Sequence, residues 1–372
     1  MLRGAGIRRK VCLNTPVPRD WKNFLRNNEN KKELFSLISE KIIGRAGKEI
    51  ISTAGPTIRC SRLNCLHPGL QPCNHEEADT RLLLHAKEAS QAGHKSIIIR
   101  TVDTDVIVIS LAAFADINLE ALWIAFGTGK DFELIPIHRV FNKIGPEKAA
   151  ALPFFHAFTG SDTTSAFNKY GKKSAWETLN NFPEVLTAFQ VLSNKPKDVE
   201  TLMCDIEQFV VLMYDKTSSQ TSVNKCRKEL FTKKSRFFDG LPPTRAALIQ
   251  HVLRCAYQAG YCWGQCLEKE QELPDPAIWG WTAAGDGEWA PNWSLLPEAS
   301  LACQELLSCG CKSCNTKRCK CKKAMLKCTM LCKCEDCENG YKRTEHMENH
   351  NTDDDDEGNE TANYTDDINE DL

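Results

Sequence analysis

Between residues 73 and 180, short apolar runs alternate with a stretch of helical periodicity. The helical stretch is HEEADTRLLLHAKEASQAG; the apolar runs are KSIIIRT, VIVISLAAF, LEALWIAFG and FELIPI, and the acidic turn VDTD separates the first two runs. Strands that alternate with helices favour an α/β fold whose parallel sheet is covered on both faces. We therefore predict an α/β domain over residues 73–180.

The remaining chain divides by pattern into five further segments. Residues 1–72 are of unclear fold with one predicted helix, 31–43, and residues 181–270 form a helical extension with apolar spacings of three and four. Residues 271–302 are a linker rich in tryptophan and proline, 303–343 are rich in cysteine, and 344–372 are acidic.

Four tryptophans of the linker lack helical spacing, which predicts that they attach an irregular loop to the core. The alternative is base stacking on nucleic acid. The four are Trp279, Trp281, Trp289 and Trp293.

Charge is distributed unevenly, although the net charge is only -2. The segment from Thr344 onward contains twelve Asp and Glu and no Lys or Arg, so the rest of the chain carries about +10. We expect this tail to be disordered and solubilising, or to compete with DNA for a basic surface. No apolar stretch reaches the length of a bilayer span, which predicts a soluble, unsecreted protein without a membrane partner.

Nineteen cysteines without a secretion signal favour metal binding over disulfides. Scattered cysteines such as Cys204, Cys226 and Cys255 lie in apolar helical contexts and are expected to be inert. A separate group could bind one more zinc, although ordinary loop residues are the alternative. It consists of Cys60, Cys65, His67, Cys73 and His75.

Nine cysteines lie close together in CGCKSCNTKRCKCKKAMLKCTMLCKCEDCEN. One tetrahedral zinc takes four thiolates, so nine thiolates predict about three zinc ions with three bridging sulfurs. A segment this short cannot build a hydrophobic core, so metal binding and folding should be one event. The predicted ligands are Cys309, Cys311, Cys314, Cys319, Cys321, Cys328, Cys332, Cys334 and Cys337.

This spacing resembles the CXC (CRC) domain of the tesmin/TSO1 group, including the closing Cys334, Cys337 and Asn339. There are three departures. The gap from Cys311 to Cys314 is two residues short, Arg318 replaces a tyrosine that enters the DNA minor groove, and the chain has one such domain instead of two. The resemblance implies zinc and DNA as ligands.

Basic residues of the module support DNA independently, because their density suits phosphate neutralisation. The alternative is a zinc knot that braces the fold or docks another protein. The predicted DNA-binding residues of the module are Lys312, Lys317, Arg318, Lys320, Lys322, Lys323 and Lys327.

A second constellation consists of acids at the ends of predicted strands and helices, where α/β folds build sites. Phosphodiester hydrolysis generally requires hard divalent ions held by several carboxylates. The candidate catalytic acids, for Mg or Mn, are Glu77, Asp79, Asp103, Asp105 and Asp162.

Three motifs here resemble the flap endonuclease branch of the PIN-like nucleases: HEEADTRLLLHAKEASQAG, IIIRTVDTDVIVI and FFHAFTGSDTTSAFNKYGKKSAWETL. The resemblance implies that the five acids hold metal and that Gly171, Lys172 and Lys173 bind the DNA backbone at a helix start. This fold normally begins with a strand that carries an aspartate, and nothing before His75 supplies it. The sequence therefore predicts an incomplete catalytic set or a truncated relative.

Together these patterns predict a nuclear, DNA-associated protein. Three hypotheses remain: a non-catalytic DNA-binding protein, an Mg- or Mn-dependent nuclease that the zinc module delivers to DNA, and an adaptor whose zinc module binds protein, with chromatin proteins as partners.

Overall fold

A computed structural model describes residues 6–44, 47–62, 67–232, 240–285 and 287–294, and in the cysteine-rich segment residues 309–312, 314, 319–323, 328, 332–334 and 339. The chain divides into two compact units, Met1–Asn292 and Trp293–Leu372. The division lies ten residues before the predicted start of the zinc module. The acidic tail, residues 344–372, lies outside the described residues.

The amino-terminal region forms two helices and a hairpin. The side chain of Asn27 accepts hydrogen bonds from the backbone of Glu29 and Asn30, which starts the second helix three residues before the predicted position. The hairpin is a two-stranded antiparallel sheet of its own, so no described strand before His75 joins the central sheet. The elements are α1 Trp21–Leu25, α2 Asn28–Ile43, β1 Ile51–Ala54 and β2 Thr57–Cys60.

The central sheet has three strands in the order β3-β4-β5. The first pair is parallel and the second is antiparallel, so the sheet is mixed and the prediction of a wholly parallel sheet is wrong. Only a short turn separates β4 from β5, and a parallel connection needs a crossover of about a dozen residues. The strands are β3 Ser96–Thr101, β4 Ala121–Phe126 and β5 Glu133–Pro136.

The sequence predicts a sheet that is covered on both faces, but apolar residues on one face of the central sheet are exposed. Ile98 and Leu134 are 65% and 52% exposed, whereas Ile99, Leu122 and Ile124 are buried. The apolar run VIVISLAAF is a helix, α4, and not a further strand. The helices of this region are α3 Ala78–Gln91, α4 Thr104–Ala113, α5 Ile137–Ile144 and α6 Pro146–Phe158.

The core is centred on α6, which packs against α4 and the following helices. Phe158 is fully buried and its ring contacts those of Phe154, Phe167, Phe189 and Phe209. The predicted helical extension and the α/β region therefore share one core. The later helices are α7 Lys172–Asn181, α8 Leu186–Leu192, α9 Met203–Tyr214, α10 Val223–Thr232, α11 Arg245–Ala256 and a π-helix Tyr257–Trp263.

The linker is more ordered than predicted, because it contains an antiparallel hairpin, β6 Trp281–Gly285 and β7 Glu288–Pro291. Trp279 is buried with its ring 5.0 Å from that of Tyr261, as expected for a residue that attaches the segment to the core. Trp289 and Trp293 are 45% and 68% exposed. Among the described residues, no helix is both long and apolar enough to span a membrane.

Candidate metal centres

Eight of the nine module cysteines are described, and their side chains form one cluster. Seven are buried and Cys311 packs against them. Buried thiols thus take the place of a hydrophobic core, as the sequence predicts for a segment of this length. Cys337 lies outside the described residues. The clustered thiols are Cys309, Cys311, Cys314, Cys319, Cys321, Cys328, Cys332 and Cys334.

The sulfur spacing matches shared metal ions. The Sγ of Cys309 lies 3.4 Å from that of Cys314, 3.7 Å from that of Cys328 and 3.8 Å from that of Cys334. Four sulfurs at about 2.3 Å from a tetrahedral zinc lie about 3.8 Å apart, whereas disulfide sulfurs lie about 2.05 Å apart. The described cysteines are all free thiols.

Three overlapping sets of four thiols each have all their sulfurs within 4.8 Å of one another. Cys309 belongs to all three sets, and Cys319 and Cys328 belong to two each. Such sharing is what bridging thiolates require, so the cluster could hold metal. The sets are Cys309, Cys319, Cys321 and Cys328; Cys309, Cys328, Cys332 and Cys334; and Cys309, Cys311, Cys314 and Cys319.

Backbone and side-chain N–H groups are directed at the sulfurs. The N–H of Cys309 donates to Sγ of Cys332 and the Nδ2 of Asn339 donates to Sγ of Cys328, both at 3.4 Å. Burial and the neighbouring Cys332 raise the pKa of Cys321 to about 12. A bound cation would be needed to keep such a thiol ionised, because crowded thiolates repel one another.

The predicted basic residues of the module are only partly described. Lys312 is exposed and Lys322 is half-buried. Lys333, a further lysine of the module, is also exposed. Lys320 and Lys323 lie in the short helix α12 Lys320–Lys323. Lys317, Arg318 and Lys327 lie outside the described residues.

The predicted acids lie at three helix ends in the first unit. Glu77 precedes α3, with Asp79 in the first turn of that helix. Asp103 follows β3 and caps α4, because its Oδ1 accepts the N–H of Asp105 at 2.9 Å. Asp162 lies on the loop that follows α6.

Folding brings these acids into one electrostatic cluster. Burial, followed by the charges of Asp103, Asp105, Glu77 and Asp162, raises the pKa of Asp79 to about 6. In the part of the chain that the structure describes, every set of three or more ligand atoms within 4.8 Å consists of cysteines. Among the described residues, therefore, no three carboxylates of this cluster lie as close together as the thiols of each set.

Two of the acids are held by side chains that the sequence analysis missed. Both oxygens of Glu77 accept hydrogen bonds, from Nε2 of Gln258 at 2.8 Å and from Nε1 of Trp263 at 3.0 Å. Burial raises the pKa of Glu77 despite these donors. Oδ1 of Asp105 lies 2.8 Å from Nε2 of His156, whose pKa burial lowers.

The signals for these partners were weak in the sequence. Gln258 and Trp263 lie more than 180 residues from Glu77, and nothing local marks either residue. His156 lies in the FFHAFTGSD part of the third nuclease-like motif. Its place in an apolar run was a weak signal that it is buried.

Of the three residues predicted to bind the DNA backbone, Lys172 makes hydrogen bonds within the protein. Gly171 precedes α7, and both Gly171 and Lys173 are exposed. The ammonium of Lys172 instead donates to the carbonyls of His156 and Gly160 and to Oγ1 of Thr159. Burial lowers the pKa of Lys172 to about 8. A phosphate contact by Lys172 would have to compete with these bonds.

No protein-family model matches the sequence, and no curated protein or solved structure matches it either. Both sites are therefore interpreted from their geometry, and the resemblances to CXC and PIN-like domains stay predictions.

The additional zinc site does not form among the described members of its group. Cys73 is buried and donates its N–H to the carbonyl of Pro56. His75 contacts the carbonyl of Glu268, and His67 lies 3.3 Å from Oε1 of Glu88. Cys65 lies outside the described residues.

Proposed function

We propose that this chain is a zinc-dependent DNA-binding protein, in which the cysteine module folds around about three zinc ions and presents lysines to phosphates. The observation that carries the proposal is the cluster of overlapping four-thiol sets. Lys312 and Lys333 are exposed beside these thiols in the sequence, and closely spaced cations favour DNA over a neutral partner. The protein is expected in the nucleus, with chromatin proteins as a second class of partner.

Fluorescence anisotropy of labelled duplex DNA, titrated with the zinc-loaded full chain at several salt concentrations, tests this proposal. We expect log affinity to fall linearly with log salt, by about 0.9 per phosphate neutralised. A strong zinc chelator should abolish binding. Binding that survives removal of all zinc would overturn the proposal.

A matched pair of double variants tests which lysines contribute. Lys312→Glu with Lys333→Glu should weaken binding and reduce the salt slope by about 2, since each phosphate contact contributes about 0.9. Lys48→Glu with Lys95→Glu changes the net charge equally at exposed positions of the first unit. Equal losses in the two double variants would mean that net charge, and not the module, attracts DNA.

The carboxylate cluster favours a second function, Mg- or Mn-dependent hydrolysis of phosphodiesters. In the described part of the chain, no protein group donates a hydrogen bond to the carboxylate of Asp79 or Asp162. Burial, followed by the charges of four neighbouring carboxylates, raises the pKa of Asp79. Such oxygens suit hard divalent ions. Asp79, Asp103 and Asp162 would hold the ion, which would supply a hydroxide nucleophile and stabilise developing negative charge.

Incubation of the full chain with flap and single-stranded DNA in Mg or Mn tests this second function. Asp79→Asn with Asp103→Asn should abolish cleavage, whereas Asp116→Asn, on an exposed turn outside the cluster, should leave cleavage unchanged. If the wild-type protein cuts no substrate, the nuclease function fails and DNA binding stands or falls by the anisotropy measurements.

A further inference from the structure

Two side chains of the π-helix Tyr257–Trp263 hold the first acid of the cluster. Gln258 and Trp263 are buried, at 6% and 2% exposure, and each donates to a different oxygen of Glu77. Both donors are neutral. They fix the carboxylate and leave its negative charge in place. An arginine or lysine at the same position would neutralise that charge.

The π-helix makes this double contact possible. In an α-helix, residues five apart lie about 140° around the axis, so Gln258 and Trp263 would face different directions. A π-helix closes hydrogen bonds from i to i+5, which brings such residues to one face. The N–H of Gly264 donates to the carbonyl of Ala259 at 2.8 Å, which is a bond of this kind.

Gln258 also connects a second acid to this anchor. Its Oε1 accepts a hydrogen bond from Oγ1 of Thr163 at 3.1 Å, and Thr163 adjoins Asp162 on the loop after α6. One amide therefore links the start of α3, which carries Glu77 and Asp79, to the loop that carries Asp162.

We propose that Gln258 and Trp263 are positioning residues. They fix Glu77 at the start of α3, beside Asp79, and Gln258 also holds the loop of Asp162 through Thr163. The mutually repelling carboxylates of Asp79, Asp103 and Asp162 thereby keep a fixed spacing for one divalent cation. The proposal rests on the second proposed function. Like charges at close range separate unless other contacts oppose them. Groups that orient metal ligands without touching the metal typically change metal affinity by about 10- to 100-fold.

The test measures the binding of Mn²⁺ to the zinc-loaded full chain by electron paramagnetic resonance of the free ion, alongside the melting temperature. Gln258→Met removes the amide at similar length, and Trp263→Phe removes the N–H and keeps a ring. We expect each variant to bind Mn²⁺ about tenfold more weakly.

The matched control is Gln265→Met. Gln265 is fully buried beside the same segment, and its amide makes three hydrogen bonds to backbone atoms of Tyr261 and Glu272 and none to an acid of the cluster. This variant should lose stability and keep wild-type affinity for Mn²⁺. An equal loss of affinity in Gln265→Met would show a general structural effect and overturn the proposal.

Thr163→Val is a further test variant. Because Thr163 is exposed, this substitution does not disturb the buried core. It should weaken Mn²⁺ binding while the fold stays intact. Wild-type affinity in both Thr163→Val and Trp263→Phe would overturn the positioning role while leaving the divalent site. Absence of Mn²⁺ binding by the wild-type protein would instead overturn the divalent site, and the positioning role with it.

Discussion

At Asp79, burial and four neighbouring carboxylates act in the same direction and raise the pKa to about 6. The usual pKa of such a group is 3.8, so between pH 3.8 and pH 6 the folded protein binds more protons than the unfolded chain. The ionised form of Asp79 therefore opposes folding above pH 6 when no divalent cation is present. A divalent cation at the proposed site would remove this cost.

We expect Asp79→Asn to raise the melting temperature at pH 8 in the absence of Mg and Mn. The gain should shrink at pH 5, where the wild-type Asp79 is largely protonated. Scanning calorimetry at the two pH values measures the difference, with Asp116→Asn as the control. A variant that is less stable than wild type at pH 8 would contradict the prediction.

At Lys172, the ammonium donates to the carbonyls of His156 and Gly160 at the end of α6. Lys172→Met should lower the free energy of unfolding by about 1–3 kcal/mol, because buried carbonyls lose their donor. The salt slope of DNA binding should not change. Denaturant unfolding and anisotropy titrations measure the two effects, and a reduced salt slope would restore Lys172 as a phosphate contact.

At the scale of elements, the π-helix depends on two glycines that lie against the end of α8. A Cβ on Gly264 would lie 2.5 Å from the carbonyl oxygens of Ser193 and Gly260, and one on Gly260 would lie 2.4 Å from Cδ of Pro196. Atoms this close leave no room for a Cβ at either glycine. The glycines thus place the segment that carries Gln258 and Trp263.

Gly264→Ala should destabilise the protein by about 1–3 kcal/mol, the usual cost of overpacking. Gly47→Ala is the matched control, since a Cβ on Gly47 meets nothing within 4 Å. Urea unfolding of both variants gives the comparison. Equal stabilities would show that the backbone shifts without cost and that the close approach is not needed.

At the scale of the whole molecule, the two compact units are stabilised by different means. The first contains a hydrophobic core centred on α6, whereas the described core of the second consists of thiols. A core of thiols is stable only with the cations that it binds. Because its core is apolar, we expect the first unit to fold without zinc.

Removal of zinc from the full chain should therefore expose the module thiols and leave the main thermal transition in place. Reaction with a thiol reagent before and after chelation, with metal analysis of about three released zinc ions per chain, measures the first effect. Calorimetry measures the second. Loss of the main transition on chelation, or far fewer zinc ions, would contradict this division.

Local patterns in the sequence determined several features correctly. The periodicity predicted α3 and the apolar run predicted the strand β3, both of which the structure contains. The cysteine spacing predicted a cluster of thiols that could bind metal, and such a cluster is present. Each of these signals lies within a few residues of the feature that it specifies. An apolar run such as VIVISLAAF carries no such signal, because periodicity cannot separate a buried strand from a buried helix.

Only the tertiary structure decided the sheet topology and the partners of the acids. The antiparallel β5 follows from a short turn, and Glu77 meets Gln258 and Trp263 across more than 180 residues. Contacts at that separation depend on how α6, α8 and the π-helix pack, which no local spacing encodes. The sequence by itself determined which residues could bind cations, and packing decided which of those residues lie together.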